Sequence, residues 1–168
     1  INISRHPVDL VKSWINKKYA SQHYKLSNNN VITYLHQNKV TPFFCYGIEN
    51  KIKYQKSEED MIVNMVFNLN KIFKKNYQKS KKKHNLILIK FDNFVLKPKK
   101  YLDLVCKKFS LKKTSHTNKV LLEQKCPRKL NYKERIINKA KILAKLSQEN
   151  KKIFLKMIDE YENNKVTF

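Results

Sequence analysis

The sequence predicts a helix-rich α/β fold built on a parallel sheet, and three observations carry that expectation. Ile1 and Ile3 alternate with polar neighbours as a short strand does, and Pro7 follows at a position where helices begin. The run from Asn85 to Val95 is almost continuously apolar, the pattern of a strand buried in a parallel sheet. Amphipathic segments of helical length occupy much of the remaining chain.

The first stretch organises the reading. Leu10, Val11, Trp14 and Ile15 recur at helical spacing after Pro7, so Arg5 lies in the turn between strand and helix. Ligands of α/β sheets gather at such turns, beside helix N–H groups that favour anions. Ser13 stands two turns into the helix and off its apolar stripe, with Asp9 and Lys17 four residues to either side. A guanidinium and a hydroxyl brought together there would grip a phosphate. The plainer alternative pairs Arg5 with a carboxylate and leaves Ser13 facing solvent.

The polar passage from Ala20 to Asn30, ending in three asparagines, reads as a loop, and Val31 to Gln37 as a short helix. Pro42 and Gly47, the only glycine, break the chain around Phe43, Phe44 and Tyr46, which are expected to anchor a loop rather than line an acceptor pocket. Ser57 and the acids Glu58, Glu59 and Asp60 open the longest helix, whose face carries Met61, Met65, Val66, Leu69, Ile72 and Phe73. Lys79 to Lys83 is a solvated connector.

Pro98 starts the helix that carries Tyr101, Leu102, Leu104, Val105 and Phe109 and ends near Ser110. Residues 112–131 look loop-like. A helix from Tyr132 to Leu146 shows Ile136, Ile137, Ala140, Leu143 and Ala144 on one face, and Ser147 caps a last helix bearing Phe154, Met157, Ile158 and Tyr161. The tail from Asn163 is expected to fray.

Size and composition set the bounds. The 168 residues suit one domain, and no apolar run approaches the ~20 residues of a membrane span. The chain opens on Ile inside a strand rather than on Met, which points to a partial chain with more protein upstream. Cys45, Cys106 and Cys126 are spaced for neither a disulfide framework nor zinc, and reduced thiols fit a cytoplasmic setting. The five histidines offer no metal-ligand spacing, so no metal is expected.

The formal charge of +24 ordinarily points to nucleic acid. Against that, only Arg5, Arg128 and Arg135 are arginine among 37 basic residues, whereas nucleic-acid readers lean on arginine. Lysine is spread along the whole chain, so an anionic substrate or general solubility accounts for the charge equally well. Nucleic acid is therefore not the expected partner.

Two stretches resemble one family. Arg5-x-Pro7-x-Asp9 followed by Ser13 is similar to the 3′-phosphate-binding segment of sulfotransferases. Later, Phe91-Asp92-Asn93-Phe94-Val95, Pro98, and Lys107-Lys108-Phe109-Ser110-Leu111 resemble the family's Tyr-Glu-Asp-Leu, Pro and Phe-Leu-Gly-Leu unit. Phe91 stands where the family has a tyrosine whose ring helps hold adenine, Asn93 replaces an acid, and Ser110 stands where glycine is usual. Stacking needs the ring and not the hydroxyl, so Phe91 suits adenine, with a core strand residue as the alternative. Arg128 and Lys129 fall where family members carry a basic loop over the nucleotide, without that loop's glycines or tryptophan.

The resemblance implies a three-layer P-loop-NTPase-like fold with a central parallel sheet, here truncated and helix-rich. It implies transfer of a sulfuryl group from 3′-phosphoadenosine 5′-phosphosulfate, as co-substrate, to a hydroxyl or amine of a carbohydrate, lipid, small molecule or peptide. Residues 1–168 would be the C-terminal portion of such a domain, supplying the 3′-phosphate and adenine side of the donor site through Arg5, Ser13, Phe91, Arg128 and Lys129. The phosphosulfate loop and the general base lie upstream in this family, so no catalytic residue is expected here. The alternatives are a basic RNA- or ribosome-binding module and a fragment of a P-loop nucleotide kinase.

Overall fold

The computed structural model describes residues 1–22, 32–53, 57–79 and 86–163. Strand β1 (Asn2–Ser4) leads through Arg5 and His6 into α1 (Pro7–Asn16), as the Pro7 signal predicts. His6 caps that helix, its Nδ1 accepting the Val8 N–H at 3.2 Å. The short helix α2 (Tyr19–Gln22) follows.

The next described segment corrects the expected helix at Val31–Gln37. Residue 31 lies outside the described residues, and Thr33–His36 is a strand, β2, paired antiparallel with β3 (Lys39–Pro42). Gln37 and Asn38 link them with φ of 49° and 60°. Positive φ at both central residues is what the two-residue hairpin turn matching strand twist requires. Alternate burial along β2 then follows, with Tyr34 and His36 turned inward and Leu35 outward. Pro42 does break the chain: a 3-10 turn at Phe43–Cys45 and Gly47 at φ +77° lead to α3 (Glu49–Lys53).

Helix α4 (Glu58–Lys79) has 22 residues, the longest among those described, and begins as predicted with the Ser57 hydroxyl accepting the Asp60 N–H at 3.0 Å. Its first half is buried nearly all round. Met61, Ile62, Val63, Met65 and Val66 form the centre of the core with Val8 and Val11 of α1. Apolar burial of this kind is the main source of stability.

Strand β4 (Leu88–Lys90) lies parallel to β1, with Ile3 opposite Ile89 and Ser4 opposite Lys90. The parallel sheet is thus present, but among the described residues it has two strands, and β4 is shorter than the expected Asn85–Val95. Phe91 is not a strand residue: it opens α5 (Phe91–Leu96). Burial gives the reason. Ile87 and Ile89 are buried while Leu86 and Leu88 are more than a third exposed, so the run is covered on one face only. Asp92 then falls in a helical first turn, where an acid suits the dipole.

Helix α6 (Pro98–Phe109) runs as expected and ends on Ser110 at φ 53°. The stretch 112–131 is not all loop, since His116–Glu123 forms α7, with Val120 and Leu122 exposed. Helix α8 (Tyr132–Lys145) is capped by Asn131, but its buried face differs from the expected one. Ile142 packs inward and Ile136 and Ile137 are exposed. Ser147 caps α9 (Gln148–Glu162), which adds Phe154, Met157 and Ile158 to the core beside α4 and α1. The expected loop at 23–30, the connector at 80–83 and the tail from 164 lie outside the described residues. No helix among the described residues is long and apolar enough to cross a membrane.

Candidate anion-binding site

The parallel pairing of β1 and β4 sends both strands out on one side, and a helix starts at each exit. Because Ser4 sits opposite Lys90, the next residues, Arg5 and Phe91, emerge side by side. The Arg5 guanidinium lies 5.6 Å from the centre of the Phe91 ring. Arg128 arrives from the far end of the chain. Its N–H donates to the Val95 carbonyl of α5 at 3.0 Å, and its guanidinium also lies 5.6 Å from the Phe91 ring centre.

Each guanidinium is attracted to the π-system of the ring, and the two lie within twice that distance of one another. Both Arg5 and Arg128 are exposed, and neither makes an ion pair among the described residues. Each guanidinium is open to solvent, and a guanidinium fork suits the oxygens of a phosphate.

The carboxylates of this region belong instead to Arg135. Its Nη1 donates to Asp92 Oδ2 at 2.8 Å, and Nη2 to Asp92 Oδ1 at 3.1 Å and to Asp9 Oδ2 at 2.6 Å. Its side chain and that of Asp92 are each 13% exposed. Burial works against the guanidinium's charge, but the bonds it donates to Asp92 and Asp9 outweigh it and raise its pKa. All three arginines of the chain therefore meet at the Phe91–Asp92 pair.

Behind this corner lies a cavity of about 390 Å³, lined among others by His6, Lys90, Arg135, Tyr161 and Glu162. His6 is 3% exposed; burial, then the Arg135 charge, lowers its pKa, against the opposing pull of Glu162. With Nδ1 accepting the Val8 N–H, Nε2 carries the proton and donates to Glu162 Oε1 at 3.4 Å. The Lys90 ammonium sits 4.5 Å above the Tyr161 ring and donates to the Tyr161 carbonyl; burial lowers its pKa, with Asp92 and Glu162 opposing.

Of the residues singled out from sequence, the structure brings Arg5, Phe91 and Arg128 together. Lys129 is exposed beside Arg128. Ser13 is half-buried on α1, ~10 Å along the helix axis from its start, and no hydrogen bond joins its hydroxyl to Arg5 among the described residues. Arg135, its carboxylates and His6 were not assigned to the site from sequence. The signal for Arg135 was the scarcity of arginine itself, which sets three positions apart from every lysine.

No disulfide joins the three cysteines, and no group of three or more His, Cys, Asp or Glu side chains among the described residues is placed to hold a metal ion. What fold and site define together is a helix-rich α/β chain with a bare pair of arginines at the exit of its parallel strands. No known family model, curated protein or solved structure matches the chain.

Proposed function

We propose that this chain is the C-terminal portion of a sulfotransferase domain that uses 3′-phosphoadenosine 5′-phosphosulfate. In this reading it supplies the 3′-phosphate and adenine side of the donor site. The observation that carries the reading is that Arg5 and Arg128 each lie 5.6 Å from the centre of the Phe91 ring, with neither guanidinium taken by a carboxylate. Arg5 comes from one motif stretch, Phe91 from the other, and Arg128 from the basic loop position, so residues of three separate stretches lie at one corner.

A phosphate monoester carries close to two charges at neutral pH and three acceptor oxygens, which two forks match. Arg5 and Arg128 would hold the 3′-phosphate, with Lys129 adding charge at the rim. Ser13 would reach a nucleotide lying along α1. Phe91 keeps the two guanidiniums in place and gives its remaining surface to the adenine.

The β1–α1 and β4–α5 units are, in this reading, part of a three-layer P-loop-NTPase-like sheet. The chemistry belongs to the transfer of a sulfuryl group to a hydroxyl or amine acceptor. What these residues do for it is remote binding. Grip on the 3′-phosphate fixes the donor so that its sulfur meets the acceptor in line.

Titration calorimetry with adenosine 3′,5′-bisphosphate and AMP tests the proposal. The bisphosphate is expected to bind at least about tenfold more tightly, and Arg5→Ala or Arg128→Ala to remove most of that preference. Equal affinity for both nucleotides would overturn it. Tight, steeply salt-dependent binding to RNA instead would favour the RNA- or ribosome-binding alternative.

A further inference from the structure

Three segments carry the residues that meet at Phe91, and one side chain fastens all three. Arg5 precedes α1, Phe91 opens α5, and Arg128 lies on the loop that runs into α8. Arg135, on α8, reaches Asp9 in the first turn of α1 and Asp92 in the first turn of α5.

We propose that Arg135 is a positioning residue for the donor site, setting the spacing of Arg5, Phe91 and Arg128 without touching the nucleotide. The proposal rests on the donor-site reading above and deepens it.

The local structure leaves that spacing to be set. The β1–β4 ladder is three residues long on each strand, too short by itself to lock two helix starts against each other. Asp9 lies one helical turn beyond Arg5, and Asp92 is the neighbour of Phe91. Holding both carboxylates therefore holds both site residues at their roots. A planar fork with donors on two sides does this, gripping Asp92 with two bonds and Asp9 with a third. A lysine ammonium, a compact charge on a flexible stem, does not span the two.

Elsewhere the chain uses lysine for every cation except Arg5 and Arg128. Two carboxylates already claim the charge of Arg135, and its side chain is 13% exposed, so it is not itself a phosphate ligand.

Three variants of the chain separate this role from general stability. With Arg135→Lys, adenosine 3′,5′-bisphosphate affinity is expected to fall at least tenfold. The same change made on top of Arg5→Ala with Arg128→Ala should cost much less, because of the groups it positions only Phe91 remains. Asp9→Asn cuts only the α1 leg and should lower bisphosphate affinity while leaving AMP affinity unchanged. An Arg135→Lys loss that persists undiminished in the Arg5→Ala, Arg128→Ala background would overturn the proposal. So would unchanged bisphosphate affinity in a folded Arg135→Lys chain whose Arg5→Ala variant is weakened. Should Arg135→Lys fail to give a native circular dichroism spectrum, Asp9→Asn decides, and an equal loss for both nucleotides overturns the role. If the unaltered chain does not prefer the bisphosphate to AMP, it is the donor-site reading that falls, before any variant is made.

Discussion

Asn64 of α4 donates a hydrogen bond to Asn150 of α9 across 2.9 Å, in an interior where the two residues are 3% and 1% exposed. The same amide also donates to the Asp60 carbonyl at 2.9 Å, while Asp60 Oδ1 accepts the Ser147 N–H at 3.0 Å and its hydroxyl at 3.2 Å. These bonds tie the start of α4 to the start of α9, satisfying polar groups that burial strips of water. Asn150→Ala removes the acceptor and leaves a buried donor unmet, so stability should fall by about 1–3 kcal/mol. Urea unfolding at neutral pH measures it, and a loss below about 0.5 kcal/mol would contradict this account of the network.

Acid should weaken the fold through His6. Its folded pKa is lowered from 6.5 by burial first and by Arg135 second. Between that lowered value and 6.5, the unfolded chain holds a proton the native chain does not, so stability rises with pH through the window and is lost on acidification. Protonation at Nδ1 would also break the α1 cap. His6→Asn keeps a capping acceptor and cannot titrate, so its urea midpoint should change less than that of the unaltered chain between pH 7.5 and 5.5. Identical slopes would show that another group titrates.

Cys45 is fully buried, and its thiol is pushed up to about 12, by burial and then by the Glu49 charge. Reactivity belongs to the thiolate, so iodoacetamide at pH 8 should leave Cys45 unlabelled in the native chain. Cys106, partly exposed, should label first. Mass spectrometry of the alkylated chain checks the order. Labelling of Cys45 should appear only with unfolding.

The hairpin between β2 and β3 contains a residue poorly suited to its backbone. Gln37 sits at φ 49°, a region that glycine enters freely and glutamine does not. Gln37→Gly should therefore stabilise the chain by up to about 1 kcal/mol, in spite of the entropy glycine adds to the unfolded state. A lower urea midpoint for this variant would argue against the positive-φ turn.

Much of the helical frame was legible because capping and periodicity are local. Pro7, Ser57, Pro98 and Ser147 marked starts that the structure keeps. The hairpin was missed because Gln37-Asn38 lacks the glycine that usually announces such a turn, and its short strands carry little periodicity. The apolar run after Asn85 read as one long strand because sequence alone does not reveal that only one of its faces is covered. On α8, Ile136 and Ile137 fitted an apolar stripe, yet Ile142 was the residue turned inward, a choice made by partners far away in the chain. Of the three aromatics expected to anchor the break at Pro42, Phe44 does so, its ring centre 5.5 Å from that of Trp14, whereas Phe43 and Tyr46 are exposed. At the site, Arg5 was legible from the strand–turn–helix pattern. The pairing of Arg135 with Asp9 and Asp92 joins residues 126 and 43 positions apart, a distance no local pattern spans.

The gathering of all three arginines at one corner has a practical outcome. A dicarbonyl reagent selective for guanidines, which would scatter over the surface of most proteins, can modify this chain only there. Arg5 and Arg128 stand open to it and Arg135 is shielded, so two adducts should form quickly and a third slowly. The reagent thus becomes a footprint of a single locality, and any ligand that slows the two fast adducts has announced where it sits.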